Sequence, residues 1–371
     1  MPVSAEPLDV IRDEVRRMSA YHVPPSTGMV KLDAMENPYA LPQDMRNQIA
    51  AALSDCALNR YPDPRSTRLK QTLREAMRVP EGFDILLGNG SDELIQILIL
   101  ACARPGACVL APAPTFVMYR QYALLAGMEY HAVDLAPDFA LATEAMSRAI
   151  RQHRPAIVFL SYPNNPTGNL FDAAALEALI EEAPGLVVID EAYQPFAEAS
   201  FMDRLGRYPN LLILRTVSKL GLAGIRLGYL VGAPAWLQEF DKVRSPYNVN
   251  VLTQEVAQVA LGNFQVLLDQ AAMIRDERGR LQAGLAAIEG VRCHASRANF
   301  LLARVPDARA LCDALLQRRI LVKSLHGAHP LLEQCIRVTV GTADENDALL
   351  AAMRDALQPS ARGAAVPNRV V

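Results

Sequence analysis

From about residue 66 the chain alternates short apolar runs with stretches of helical spacing. The runs are FDILLG from Phe83, ACVLA from Ala107, AIVFLS from Ala156, LVVID from Leu186 and LLILRT from Leu211, with helical stretches that include 91–103 and 171–182. Near-continuous apolar runs of this length predict strands buried on both faces, and strands alternating with helices predict βαβ units. The expected fold class is therefore α/β, with a large domain built on a mostly parallel sheet covered by helices. After about residue 252 the rhythm changes. A long charged helical stretch over 253–288 leads to NFLLARV and IRVTVGT as strands and a last helix near 344–357. That order predicts a second, smaller α+β domain. Upstream, Ile11, Val15 and Met18 predict a short amphipathic helix over 9–18, and the proline-rich residues 21–42 read as an extended arm. The expected divisions are 1–40 for the N-terminal helix and arm, 41–252 for the large domain and 253–357 for the small one. Residues 358–371 lack periodicity and are expected to form a mobile tail.

Composition narrows the function. Hydrophobic residues make up 51% of the 371, ample for a sizeable core. The 37 Lys and Arg against 40 Asp and Glu leave a net charge of −3 without a basic run, which argues against nucleic acid and anionic membrane as partners. The longest apolar stretch, LIQILILACA over 94–103, is too short to span a bilayer, and the charged N-terminus has no signal core. Six cysteines without a C-x-x-C pair predict reduced thiols and a cytoplasmic location. His326 and His329 in HGAH have no third ligand nearby in sequence, so no metal is expected.

Ligands of open parallel sheets bind beyond the carboxyl ends of the strands, so the residues just after each run carry the most information. NGSDE comes after the first, YPNNPTG after the third, Asp190 and EAY at the end of the fourth, and TVSK at the end of the fifth. GNGSDEL is either a plain helix N-cap or an anion site, with Gly90 allowing close approach to the N–H groups before Ser91 and Asp92. Asp190 ends an apolar strand, so it is either a turn aspartate or a buried carboxylate in need of a cation. Lys219 sits among small and apolar residues, with Thr216 and Ser218 before it and Arg226 seven residues after it. A poorly solvated lysine amine can condense with an aldehyde, and two hydroxyls with a guanidinium can hold a phosphate. Each motif alone has a bland explanation. Their succession after four strands of one predicted sheet points to a single crevice.

The ordered set YPDP, NGSDE, PTF, YPNNPTG, DEAY, SK…AGIRLGY and RVTVGT resembles the fold-type I pyridoxal-phosphate aminotransferases of classes I and II, over residues 20–356. VRSPYNVN and LDAMENPY are most similar to their histidinol-phosphate branch. The resemblance implies pyridoxal 5'-phosphate as cofactor, a homodimer with shared sites, and histidinol phosphate and glutamate or 2-oxoglutarate as substrates. It implies that Lys219 bonds to the cofactor and carries the proton, that Asp190 faces the ring nitrogen, and that Tyr193 and Asn165 address the ring hydroxyl. Phe116 would stack on the ring. Gly90, Ser91, Asp92, Thr216, Ser218 and Arg226 would hold the phosphate, with Tyr61 reaching in from the other subunit. Tyr21, Asn37, Asn165, Asn248, Lys323 and Arg337 would meet substrate. Two positions depart from the usual pattern. Phe116 stands where relatives often carry Tyr or Trp, and Lys323 where several carry Arg, which puts substrate-phosphate binding in question. An aromatic aminotransferase, a phosphothreonine decarboxylase and a non-catalytic ligand-binding protein on the same scaffold stay open as alternatives.

Overall fold

The structure, a computed structural model, describes residues 10–20 and 23–358. Its larger sheet contains β2 (Asp84–Asn89), β3 (Cys108–Ala113), β4 (Glu129–Asp134), β5 (Ile157–Ser161), β6 (Leu186–Asp190), β7 (Leu211–Thr216) and β8 (Leu227–Gly232), in the order β2-β8-β7-β6-β5-β3-β4. Every pairing is parallel except those of β8, which runs antiparallel to both β2 and β7. The central strands are buried throughout. Strand pleating sends alternate side chains to opposite cores. Val187 and Ile189 of β6 join one core, with the helices Thr67–Met77, Thr143–His153 and Ala173–Glu182, while Leu186 and Val188 join the other, with Ser91–Cys102 and Val117–Leu125. This is the predicted α/β layering, and it explains why these runs show no alternation in sequence.

The smaller sheet has the order β1-β11-β12-β10-β9, from β1 (Val30–Leu32), β11 (Ile320–Ser324), β12 (Cys335–Thr339), β10 (Phe300–Arg304) and β9 (Arg292–Cys293). It packs on the helices Ala308–Gln317 and Ala343–Leu357. The latter opens with a capping box between Thr342 and Glu345, which satisfies two otherwise orphan N–H groups. The long helix Phe264–Ala286 enters the large core at Leu267 and the small core from Ala271 onward, so it ties the two together.

Three features differ from the sequence expectation. The extended arm contributes β1, which pairs parallel with β11. Among the described residues of the amphipathic helix expected over 9–18, Val10 is helical, Ile11 (45% exposed) and Arg12 break the pattern, and Asp13–Arg16 forms a single turn without a buried residue, too short to present a face for burial. β4 and β8 have no clear signal in sequence, since EYHAVD mixes polar and apolar positions and LGYLVG carries two glycines. Residues 359–371 of the expected tail lie outside the described residues. Among the described residues no helix is long and apolar enough to cross a membrane.

Candidate active site

The carboxyl ends of β5, β6 and β7 open into one cleft, lined by Met35, Phe116, Asn165, Asp190, Tyr193 and Lys219 together with the Ser91–Asp92 and Thr216–Arg226 segments. Its empty space of about 550 Å³, solvent included, lies in the range usual for ligand pockets. Lys219 follows β7 on a tight turn, Ser218–Leu220, that ends at Gly221 with φ +105°. Its Nζ donates to the Ala34 carbonyl (3.3 Å) and lies 5.8 Å from the centroid of the Tyr193 ring. Burial, reinforced by the nearby Arg337 charge, pushes the amine down to about 8.

Asp190 is the last residue of β6 and is buried. Its Oδ1 accepts from the Ala192 N–H (3.0 Å) and its Oδ2 from the Tyr119 hydroxyl (2.6 Å). Both donors are neutral, and burial outweighs them, raising the carboxyl to about 6. Tyr119 is fully buried and stacked on Phe159 at 4.5 Å between centroids. It is a site residue that the sequence motifs miss. The one signal for it in the chain is a hydroxyl placed about a helical turn after Phe116.

The anion cup is built from backbone and short side chains. Gly90 (φ +82°) precedes the Ser91–Cys102 helix and leaves its first turn without a side-chain cap. A Cβ on Gly90 would stand 2.7 Å from Arg226 Nη2, so the missing side chain makes room for the guanidinium. Thr216 Oγ1 accepts from the Ser218 N–H (3.1 Å) and lies 2.9 Å from Ser218 Oγ. Arg226, itself in the left-handed region at φ +54°, reaches Ser218 Oγ at 3.5 Å and Asp92 Oδ2 at 3.4 Å. Free helix-terminal N–H groups, two hydroxyls and an arginine suit a phosphate.

Asn165 joins the cup to the far end of the cleft. Its Oδ1 accepts from Arg337 Nη1 (2.7 Å) and its Nδ2 donates to the Tyr193 hydroxyl (3.2 Å). Arg337 also donates through Nη2 to the Asp33 carbonyl (3.0 Å). Lys323 on β11 stands directly opposite Arg337 on β12, so both cations share one face of the small sheet. Phe116 lines the cleft and meets Tyr119 edge-on at 5.6 Å.

Three expected residues are not brought to this cleft. The Asn37 amide donates to Leu220 O (3.4 Å) and Gln270 Oε1 (3.0 Å), and its oxygen accepts from the Tyr39 N–H. Asn248 donates to Leu87 O and Glu93 Oε2 and accepts from Arg244. Both amides brace the walls instead of lining them. Tyr61 is 80% exposed and stacks on Tyr247 at 4.4 Å. A fourth, Tyr21, lies outside the described residues. The two histidines of HGAH, His326 and His329, engage Glu333 and Asp134 instead of each other.

The family model for aminotransferase class I and II matches residues 27–353. The chain belongs to the class I and II aminotransferases. This aminotransferase is 58% identical to histidinol-phosphate aminotransferase 2 of Cupriavidus pinatubonensis, over 94% of the chain and 97% of that protein. It is 52% identical to the histidinol-phosphate aminotransferase of Chromobacterium violaceum, over 93% and 97%. Among solved structures it is similar to the histidinol-phosphate aminotransferase of Sinorhizobium meliloti in complex with pyridoxal-5'-phosphate, with a TM-score of 0.84, 25% identity, and coverage of 94% and 97%. The fold is that of the fold-type I transferases, and the family depends on pyridoxal phosphate. The residues present fit that group. Asp190 is a buried carboxylate whose bonded donors are both neutral, and the Arg226 guanidinium lies where a Gly90 side chain would stand, at the start of the Ser91–Cys102 helix.

Proposed function

We propose that the chain transfers an amino group between L-histidinol phosphate and 2-oxoglutarate, giving imidazole-acetol phosphate and glutamate, in histidine biosynthesis. The observation that carries this reading is the pair of cations Lys323 and Arg337, opposite each other on β11 and β12, with Arg337 bonded to the cleft-lining Asn165. Histidinol phosphate has a terminal phosphate and no carboxylate, while glutamate has two carboxylates. Substrates that take turns in one site must share its cations, and two adjacent cations suit either anion. The names of its relatives agree.

When bound, pyridoxal phosphate supplies a ring that draws off the negative charge left as the substrate's Cα loses its proton. The chain's residues supply the rest. Ser91, Asp92, Thr216, Ser218 and Arg226 hold the phosphate, and Phe116 packs on the ring. Asp190 would keep a proton on the ring nitrogen, and Tyr193 and Asn165 would donate to the ring hydroxyl. Arg337 fixes the substrate's anionic end, which places Cα near Lys219. At pH 7 roughly a tenth of such amines are neutral, so Lys219 would be available as a nucleophile toward the cofactor and as the base that takes the substrate's Cα proton. Asn37 and Asn248 act behind the walls. Tyr61, exposed on its own chain, completes the phosphate cup of a second copy in a homodimer. We take the large unit to run from 41 to about 252 and count β1 with the small one. A cytoplasmic location suits the six free cysteines.

Single-turnover spectra with each amino donor test the assignment. Lys219→Ala abolishes turnover. Arg337→Ala slows both half-reactions by about 2–3 kcal/mol, as expected for one charged hydrogen bond. Lys323→Ala slows the histidinol-phosphate half more than the glutamate half, because a dianion gains more from each extra charge. A histidinol-phosphate half-reaction untouched by Lys323→Ala would mark the departure from arginine as a lost contact and leave the substrate assignment to other residues.

A further inference from the structure

The segment between β1 and the first large-unit helix crosses the cleft as a strap, and its hydrogen bonds go to the working residues. The Asp33 carbonyl accepts from Arg337 Nη2 (3.0 Å), and the next carbonyl, Ala34, accepts from Lys219 Nζ (3.3 Å). Met35 anchors the far end. Its N–H donates to Thr339 Oγ1 (2.9 Å), its carbonyl accepts from Asn299 Nδ2 (2.9 Å), and its Sδ accepts from the Tyr193 hydroxyl (3.2 Å). Met35 does this at φ +55°, a conformation few residues other than glycine and asparagine adopt readily. Anchors on β12, on Asn299 beside β10 and on Tyr193 hold it there. Backbone strain that is fixed from three sides, at a residue lining the cleft, is the kind of strain that serves a site.

We propose that Met35 is a positioning residue: its left-handed turn aims two successive carbonyls, one at the Arg337 guanidinium and one at the Lys219 amine. This rests on the roles given to Lys219 and Arg337 above. The Ala34 carbonyl gives the amine a fixed resting place whenever it is not bonded to the cofactor. The Asp33 carbonyl holds one edge of the guanidinium, while Asn165 holds another, so that the fork meets a substrate anion already oriented. One turn thus sets the distance between the group that anchors substrate and the group that moves its proton.

The test is a series at position 35, graded by tolerance of the left-handed region and not by size: Met35→Gly, Met35→Asn and Met35→Ala against the β-branched Met35→Val and Met35→Thr. Two quantities are read on the holoenzyme. One is the single-turnover rate and apparent affinity for glutamate, followed by cofactor absorbance. The other is the pH midpoint for acylation of Lys219 after conversion to the amino form, read by peptide mass spectrometry. Met35→Gly, Met35→Asn and Met35→Ala lose the sulfur contact but tolerate the turn at least as well as methionine, and are expected to keep most of the wild-type rate. Met35→Val and Met35→Thr, whose branched Cβ disfavours the left-handed region, should lose about tenfold or more in rate over affinity, the scale of one charged hydrogen bond. Their Lys219 midpoint should fall, because the carbonyl that favours the protonated amine has moved away. Both side chains are smaller than methionine, so a folded protein is expected of at least one of them. Effects that follow side-chain size, a loss in Met35→Ala equal to that in Met35→Val, or an unchanged midpoint in the branched variants, overturn the proposal alone. A wild-type enzyme inert to glutamate overturns the functional reading and this proposal with it.

Discussion

A carboxylate sealed from water at the end of β6 destabilises the folded chain at neutral pH until a cation meets it. Asp190 is raised from 3.8 to about 6, mainly by burial, so the folded state binds more protons than the unfolded state between those values. Stability of the cofactor-free protein therefore falls as pH rises from about 4 to 6, and the penalty persists above. A rise of that size corresponds to at most about 3 kcal/mol. Asp190→Asn should stabilise the cofactor-free protein by up to that amount at pH 7.5 and by nothing below pH 4, in urea melts, while ending turnover. Residues of this kind are legible in sequence where chemistry and position coincide: a charged residue closing an apolar run, as at Asp190, or a lysine without charged neighbours, as at Lys219. Tyr119 is not legible, because a buried tyrosine on a helix reads as core until its hydroxyl is seen at a carboxylate. Met35 is hidden for another reason. Its distinction is a backbone angle, and sequence carries no such angle for a methionine.

At the scale of elements, the phosphate cup depends on how closely β8 approaches the start of the Ser91–Cys102 helix. A Cβ on Gly228 would lie 2.4 Å from the Ser91 N and 2.5 Å from the Gly90 carbonyl carbon, both backbone atoms that cannot swing aside. Gly228→Ala is expected to push the helix start away from Arg226 and weaken cofactor binding about tenfold or more, at a cost of about 1–3 kcal/mol in overall stability. Titrating the cofactor-free variant with pyridoxal phosphate measures the first, and a thermal melt the second. The strands β2, β3, β5, β6 and β7 are readable because their apolar runs are nearly unbroken. β8 is not, and the glycine this close approach requires is part of what dilutes its pattern.

For the whole molecule, the proposed homodimer assigns the exposed Tyr61 to the phosphate cup of a second copy. Mixing inactive Lys219→Ala with a Tyr61→Ala variant should restore roughly a quarter of wild-type activity after subunit exchange, since half the dimers then hold one intact site of two. Activity that stays at baseline despite proven exchange would count against a shared site. The small sheet carries a different consequence, in the order of manufacture. Val30 of β1 pairs with Ile320 of β11, 290 positions later. The strand leaves the ribosome 290 residues ahead of its partner, so its pairing is a late long-range contact. Ala34 and Met35 come just after that strand. The strap over Lys219 is therefore in place only once β11 has been made, and a chain cut short before β11 would keep the lysine yet lack the strand on which the strap is hung.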